Sequence, residues 1–332
     1  MSKEQIMQII SAAVAAVDPY ACTREALVRN QNTLKIGGQT LDLSKGRVFV
    51  VSIGKAAVPM AQAVADLLGG QLEAGIAITK QGQTASVDHP AIQTVFSAHP
   101  VPDERSVEAA DLALELLGQT AVDDQVIFLI SGGASALCTK PLIPLAEWQA
   151  LFQMLLASGC TIQEANTVRK QLDRIKGGGL GQLAAPAEIV TLILSDVLGN
   201  PIDMIGSGPT VPNPQTPADA LAVLDRYEID HENVREGLTA VNGEAVSFES
   251  PIAIVGDLQV AAEAAQQAAE KTALLAGLLH LLLQGVLLLG GQYVASPLVG
   301  CFDDALRFLA DPLQGFTVAS AKKSKARRRA AS

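Results

Sequence analysis

Short, unbroken apolar runs that stop at glycine, with helical text between them, constrain this chain most. RVFVVSI (47–53) ends at Gly54, QVIFLIS (125–131) at Gly132-Gly133, and EIVTLILSD (188–196) and PIAIVGD (251–257) close the series. GIAITK (75–80) and TVFSAH (94–99) read as two further strands. Helical periodicity fills 55–70, 103–117, 145–158, 161–175, 216–227 and 260–271. Strands that are apolar throughout, rather than at every second residue, have both faces covered. The alternation predicts an α/β fold: a doubly wound, mostly parallel, Rossmann-like sheet flanked by helices. Such sheets bind ligands beyond the carboxyl ends of their strands, near a switch in strand order. The polar stretch from Asn30 to Ser44 reads as a connection or small hairpin. Ile6, Ile9, Ile10, Val14 and Val17 form a helical stripe, not a signal peptide.

Charge narrows the partners. The 332 residues carry 34 Asp and Glu against 24 Lys and Arg, a net charge of -10. That balance argues against nucleic acid as the main partner. Cys22, Cys138, Cys160 and Cys301 share no metal or redox spacing, which fits a reduced, cytoplasmic chain. The charge is uneven. No Asp, Glu, Lys or Arg lies between Thr272 and Phe302, and the end is basic, from Lys322 to Arg329. The expected division is therefore an α/β domain over 1–271 and an aberrant leucine-rich segment over 272–332.

Four strand ends carry chemistry. In SIGKAA (52–57), Lys55 follows a strand at a helix start, where helix N–H groups and an ammonium can meet an anion together. It is not a Walker A loop, because Ala56 stands where Ser or Thr would touch Mg²⁺. The alternative is an ordinary surface lysine. In LISGGASAL (129–137), Ser131, Gly132, Gly133 and Ser135 can form an anion-binding nest, or simply a tight turn. Asn166, Lys170 and Arg174 share an i, i+4 helix face with Arg169 beside it, and Lys176, Gly177 and Gly178 follow. That segment reads as a phosphate cradle or as a solvated basic face with a cap. In LILSDVLGNPIDMIGSGPTVP (192–212), Ser195-Asp196 follows a strand, and Gly206, Ser207 and Gly208 supply further donors. A carboxylate so placed can bind Mg²⁺ or take a hydroxyl proton, and it can also merely cap a turn. His99 reads as structural or substrate-facing, and Trp148 as core. The inventory suits phosphoryl transfer, which needs cations, hydroxyls and N–H groups around phosphate oxygens, plus a carboxylate.

These blocks, with HPVPDERS (99–106), VRKQLDRIKGGGL (168–180) and VGD (255–257), resemble the glycerate 2-kinase family in the same order from Glu4 to Asp257. Its N-terminal portion is called the MOFRL-associated domain. The resemblance implies ATP-dependent phosphorylation of D-glycerate at its 2-hydroxyl, with Mg²⁺. It implies catalytic roles for Lys55 and Asp196, with Asp196 also the metal ligand. It implies ATP and D-glycerate as partners and leaves self-association open. A membrane role is not expected. Members of the family have also been labelled hydroxypyruvate reductases, but no G-x-G-x-x-G fingerprint stands in this sequence. A third reading is a binding-only remnant.

The sequence departs from the family at three places. Gly179 stands where an arginine is usual, Asn200 stands where an aspartate is usual, and no GGRNQE-like motif of the C-terminal MOFRL domain follows Asp257. The segment 272–332 has three readings: a frame-shifted or truncated C-terminus, a diverged second domain, or a membrane anchor. The anchor reading is weakened by His280, Gln284 and Gly285, which interrupt a run short of the roughly 20 residues a span needs.

Overall fold

The computed structural model describes residues 3–240 and 248–271. The expectations for 272–332 lie outside the described residues. Helices α1 (Lys3–Ala16) and α2 (Pro19–Glu25) lead into β1 (Leu27–Asn30), β2 (Thr33–Ile36) and β3 (Gln39–Asp42). These strands form an antiparallel meander. The sequence reads this stretch as a connection or hairpin. Leu27, Leu34, Ile36 and Leu41 instead bury one face against the main sheet, and the polar residues between them face outward.

The main sheet is built from β4 (Val48–Ile53), β5 (Leu72–Lys80), β6 (Ile92–Ser97), β7 (Gln125–Ser131), β8 (Glu188–Leu194) and β9 (Ile252–Gly256). Every pairing is parallel, in the order β6-β5-β4-β7-β8-β9. The chain winds outward from β4 to β6, returns to the middle at β7, and winds the other way. The switch in order falls between β4 and β7, so the crevice of a doubly wound sheet opens there.

The apolar runs are continuous for the reason the sequence suggests. Phe49, Val51, Val126, Phe128, Ile130 and Ile193 point to one face. Val48, Val50, Ile127, Leu129, Val190 and Leu192 point to the other. One face is covered by α3 (Ala57–Leu68) and the meander, the other by α4 (Glu104–Leu117), α5 (Ala134–Leu137) and α8 (Gly179–Ala184). Each large side chain removed from water in this way contributes about 1.5–3 kcal/mol.

A separate helical layer holds α6 (Leu145–Ala157), α7 (Ile162–Gln171), α9 (Pro217–Arg226) and α10 (Glu232–Ala240). Its own core includes Trp148, Leu151, Val168, Leu172, Leu224 and Leu238. Helix α11 (Leu258–Lys271) packs beside α1. Among the described residues no single helix is long and apolar enough to cross a membrane.

The helix expected over 161–175 ends at Gln171. The chain leaves the helix to pair with the segment before α6. The Arg174 N–H donates to the Lys140 carbonyl at 2.9 Å, and Asp173 and Pro141 form an isolated bridge. Arg174 therefore falls off the face it was expected to share with Asn166 and Lys170, and it is exposed.

Candidate functional site

The turns after β4, β7 and β8 converge at the switch point. The Lys55 N–H donates to the Gly132 carbonyl at 2.9 Å, and the Ala56 N–H donates to Ser131 Oγ at 3.1 Å. The Gly54 N–H donates to the Ile78 carbonyl at 3.0 Å. These bonds lash the β4 turn to its neighbours on both sides. They also spend the Ser131 hydroxyl on the scaffold.

Asp196 reaches the same point from β8. Its Oδ2 lies 3.4 Å from Lys55 Nζ, with side-chain exposures of 52% for Asp196 and 29% for Lys55. An ion pair this exposed contributes at most about 1 kcal/mol to folding. Stability is therefore a poor reason for its presence. Gly132 makes the approach feasible: a Cβ there would sit 2.0 Å from Asp196 Oδ2. The His99 ring lies close by, 3.1 Å from where a Gly133 Cβ would be. Ser195 bonds within its own turn, accepting from the Val197 N–H at 3.2 Å, and so steadies the loop that presents Asp196.

A second cluster adjoins the first through Ser135. Ser135 Oγ and Ser207 Oγ are 2.9 Å apart. Arg169 donates to Ser135 Oγ at 2.6 Å and to Asn166 Oδ1 at 3.3 Å. Burial pushes the Arg169 guanidinium down to about 10, which leaves it charged at neutral pH. The sequence places Arg169 in the basic segment beside Asn166 and Lys170 without singling it out as a ligand. The available signal was its i, i+3 spacing from Asn166 on one helix.

Four expected phosphate ligands, Lys170, Lys176, Gly177 and Gly178, are otherwise engaged. Lys170, with a side chain only 3% exposed, pairs with Asp203 at 3.0 Å. Lys176 is sealed inside, with Nζ 2.6 Å from Asp173 Oδ2 and 3.0 Å from Thr139 Oγ1. Burial pushes the Asp173 carboxyl up, but the Lys176 ammonium and the hydrogen bonds around it hold it below the ordinary value. The Gly177 and Gly178 N–H groups donate to the carbonyls of Ser207 and Gly208 at 3.0 and 2.7 Å. The glycine run thus approaches protein backbone closely: a Cβ on Gly179 would lie 1.9 Å from the Arg174 carbonyl oxygen. An arginine at 179 would need a different path for this loop. Gly206 and Gly208 flank Ser207 and shape the turn that carries it.

The donor set bears on Mg²⁺. No group of three potential ligands clusters among the described residues. Mg²⁺ is commonly held by one or two carboxylates and substrate phosphates rather than by a protein cage, and the half-exposed Asp196 fits that mode. Asp257 is already engaged. Its Oδ2 accepts from Asn200 Nδ2 at 2.6 Å, and its Oδ1 from the Val260 N–H at 2.9 Å. An aspartate at 200 would set two carboxylates together unless a cation lay between them. The asparagine removes that need. Cys138 offers no nucleophile, since burial pushes its thiol up to about 12.

Comparison with known proteins gives the family and the fold. A family model described as a domain of unknown function, DUF4147, matches residues 5–239. The D-glycerate 2-kinase of Thermotoga maritima is 35% identical over 298 residues, which are 89% of this chain and 68% of that protein. That match runs beyond Lys271 into the leucine-rich stretch, farther than the motifs alone indicate. A protein of Agrobacterium vitis named as a hydroxypyruvate reductase is 40% identical over 287 residues, 85% of this chain and 61% of its own length. The crystal structure of a Thermotoga maritima glycerate kinase superposes with a TM-score of 0.69 at 35% identity, covering 81% of this chain and 62% of that one. The chain thus spans a little under two thirds, to just over two thirds, of these relatives.

Proposed function

The chain belongs to the glycerate kinase family, and on that premise we propose that it transfers the terminal phosphoryl group of ATP to the 2-hydroxyl of D-glycerate. The products are 2-phosphoglycerate and ADP. The observation that supports this most is the meeting of Lys55 and Asp196 at the switch point, 3.4 Å apart and half-open to solvent. Phosphoryl transfer asks the protein chiefly to place reactants and to oppose developing charge. Lys55 faces the oxygens of the transferring group. Asp196 orients the 2-hydroxyl and receives its proton, or holds Mg²⁺. Bound Mg²⁺ would neutralise charge on the phosphate oxygens. We place the activity in the cytoplasm, in keeping with the free thiols of Cys22, Cys138 and Cys160.

An ADP-release assay with D-glycerate, ATP and Mg²⁺ tests the reading, run beside NADH oxidation with hydroxypyruvate. ADP release that requires glycerate is expected, without NADH turnover. The reverse result would establish a reductase, and ATP binding without turnover a binding-only protein. Lys55→Ala and Asp196→Asn should each lower turnover by about 10² or more. Near-normal turnover in either variant would remove that residue from the chemistry. A raised Mg²⁺ requirement in Asp196→Asn would favour the metal role, and a fall in turnover at unchanged requirement the hydroxyl role.

A further inference from the structure

Arg169 differs from the other basic side chains around the crevice. Lys55, Lys170 and Lys176 face Asp196, Asp203 and Asp173. Among the described residues Arg169 forms no ion pair. Asp173 acts on it only through space, and Asp173 is bonded to Lys176. The hydrogen-bond acceptors of Arg169 are neutral, Ser135 Oγ and Asn166 Oδ1. Its Nε is buried with no hydrogen-bond partner. The guanidinium lies over the rings of Phe152 and Trp148, at 4.9 and 6.0 Å from their centroids. Ser207 closes the ring, meeting Ser135 Oγ at 2.9 Å and donating to Asn166 Oδ1 at 3.3 Å. Ser207 holds φ at 64°, a left-handed conformation that strains a non-glycine residue.

A cation enclosed by neutral partners, one N–H still unmet, is an electrostatic arrangement that an anion completes. The planar fork of arginine suits a carboxylate, which it can meet with two parallel hydrogen bonds. The location is also suitable. Ser135 lies in α5, directly after the Gly132-Gly133 turn against which Asp196 rests. D-glycerate carries its carboxylate on the carbon that bears the reacting hydroxyl. With that hydroxyl at Asp196, the carboxylate falls beside the turn.

We propose that Arg169, with Ser135 and Ser207, binds the carboxylate of the acceptor and so selects a 2-hydroxy acid over a neutral polyol. The proposal rests on the kinase reading for the identity of the acceptor. Calorimetric titration of the full chain with D-glycerate, glycerol and ATP in separate runs tests it without requiring turnover. The unaltered protein should bind glycerate and hardly bind glycerol. Arg169→Met should weaken glycerate binding by about 30-fold, the scale of one charge-assisted contact, with ATP affinity within twofold. Arg169→Lys keeps the charge without the fork and should lose about tenfold. Thermal melts accompany both variants, and if Arg169→Met does not fold, Arg169→Lys decides. Unchanged glycerate affinity in a folded variant would overturn the proposal. So would a loss falling on ATP, equal binding of glycerol, or no glycerate binding by the unaltered chain. Glycerate binding that depends on Arg169 without ADP release would sink the kinase reading and leave the carboxylate site standing.

Discussion

A missing side chain at Gly132 lets a carboxylate from another strand lie against the backbone. In Gly132→Ala the added methyl would meet Asp196 Oδ2 at 2.0 Å. Asp196 is half exposed and can swing aside, so the fold should survive while the site loses its geometry. Turnover should fall by about 10², the effect of displacing a reacting group by roughly 1 Å, with an almost unchanged melting temperature. A large fall in melting temperature would place the residue's importance in folding instead. Asp173 is the converse case. It and Lys176 are both fully buried, so Asp173→Ala should cost about 3–5 kcal/mol in urea denaturation by leaving the ammonium unpaired. A cost below about 1 kcal/mol would show that water or another group reaches Lys176. These two residues also show what a sequence can reveal. Gly132 stands after an unmistakable apolar run, so its place at a strand end is legible. The fate of Lys176 depends on Asp173 being buried with it, against Thr139, which stands 37 positions away. A basic residue beside a glycine run looks the same whether it faces phosphate or a buried aspartate.

The elements were legible where one period prevailed. Strand β7 matches the expected 125–131 because every residue in it is buried and none is polar enough to end it early. The meander β1–β3 was hidden because its strands are four residues long, too short for alternation to stand out. Helix α7 carries Asn166, Arg169 and Lys170, and its position depends on its first turn. Thr161 and Glu164 cap each other there, and Glu164 also accepts from Arg226 Nη1 and Tyr227 Oη on α9 and just beyond its end. The Thr161 N–H, with the Tyr227 and Thr161 hydroxyls and Arg226, holds the Glu164 carboxyl down at about 2, against an ordinary 4.5. A carboxyl lowered by folding stabilises the protein above its ordinary value and loses that contribution as pH falls. The loss should therefore run from about pH 4.5 down to about pH 2. Glu164→Gln should be less stable at neutral pH and should flatten the stability profile across that window, read by denaturation at stepped pH. An unchanged slope would show that other carboxyls set acid sensitivity.

At the scale of the molecule, the candidate groups come from parts of the chain that only the complete sheet brings together. Lys55, Gly132 and Asp196 follow the central strands β4, β7 and β8, whose residues are almost all buried. The site should therefore persist as long as the sheet does. Loss of glycerate-dependent ADP release in urea should coincide with loss of far-ultraviolet circular dichroism. Activity lost well before the spectral change would mean that the turns open independently of the strands. The opposite end of the sheet is built differently. There Asp124 accepts from the Arg47 N–H at 2.8 Å, from its guanidinium at 2.7 Å and from the Ala121 N–H at 2.8 Å. Burial pushes that carboxyl up, but the Arg47 bonds and two backbone N–H groups hold it below the usual range. This clamp ties the entry of β4 to the entry of β7, the two paired strands from whose other ends the chain winds to opposite sides of the sheet. A saturation-mutagenesis library of this protein should accordingly separate into two strata. Changes around Arg47 and Asp124 would register as protein abundance, and changes around Lys55, Gly132 and Asp196 as loss of rate in molecules present at normal levels.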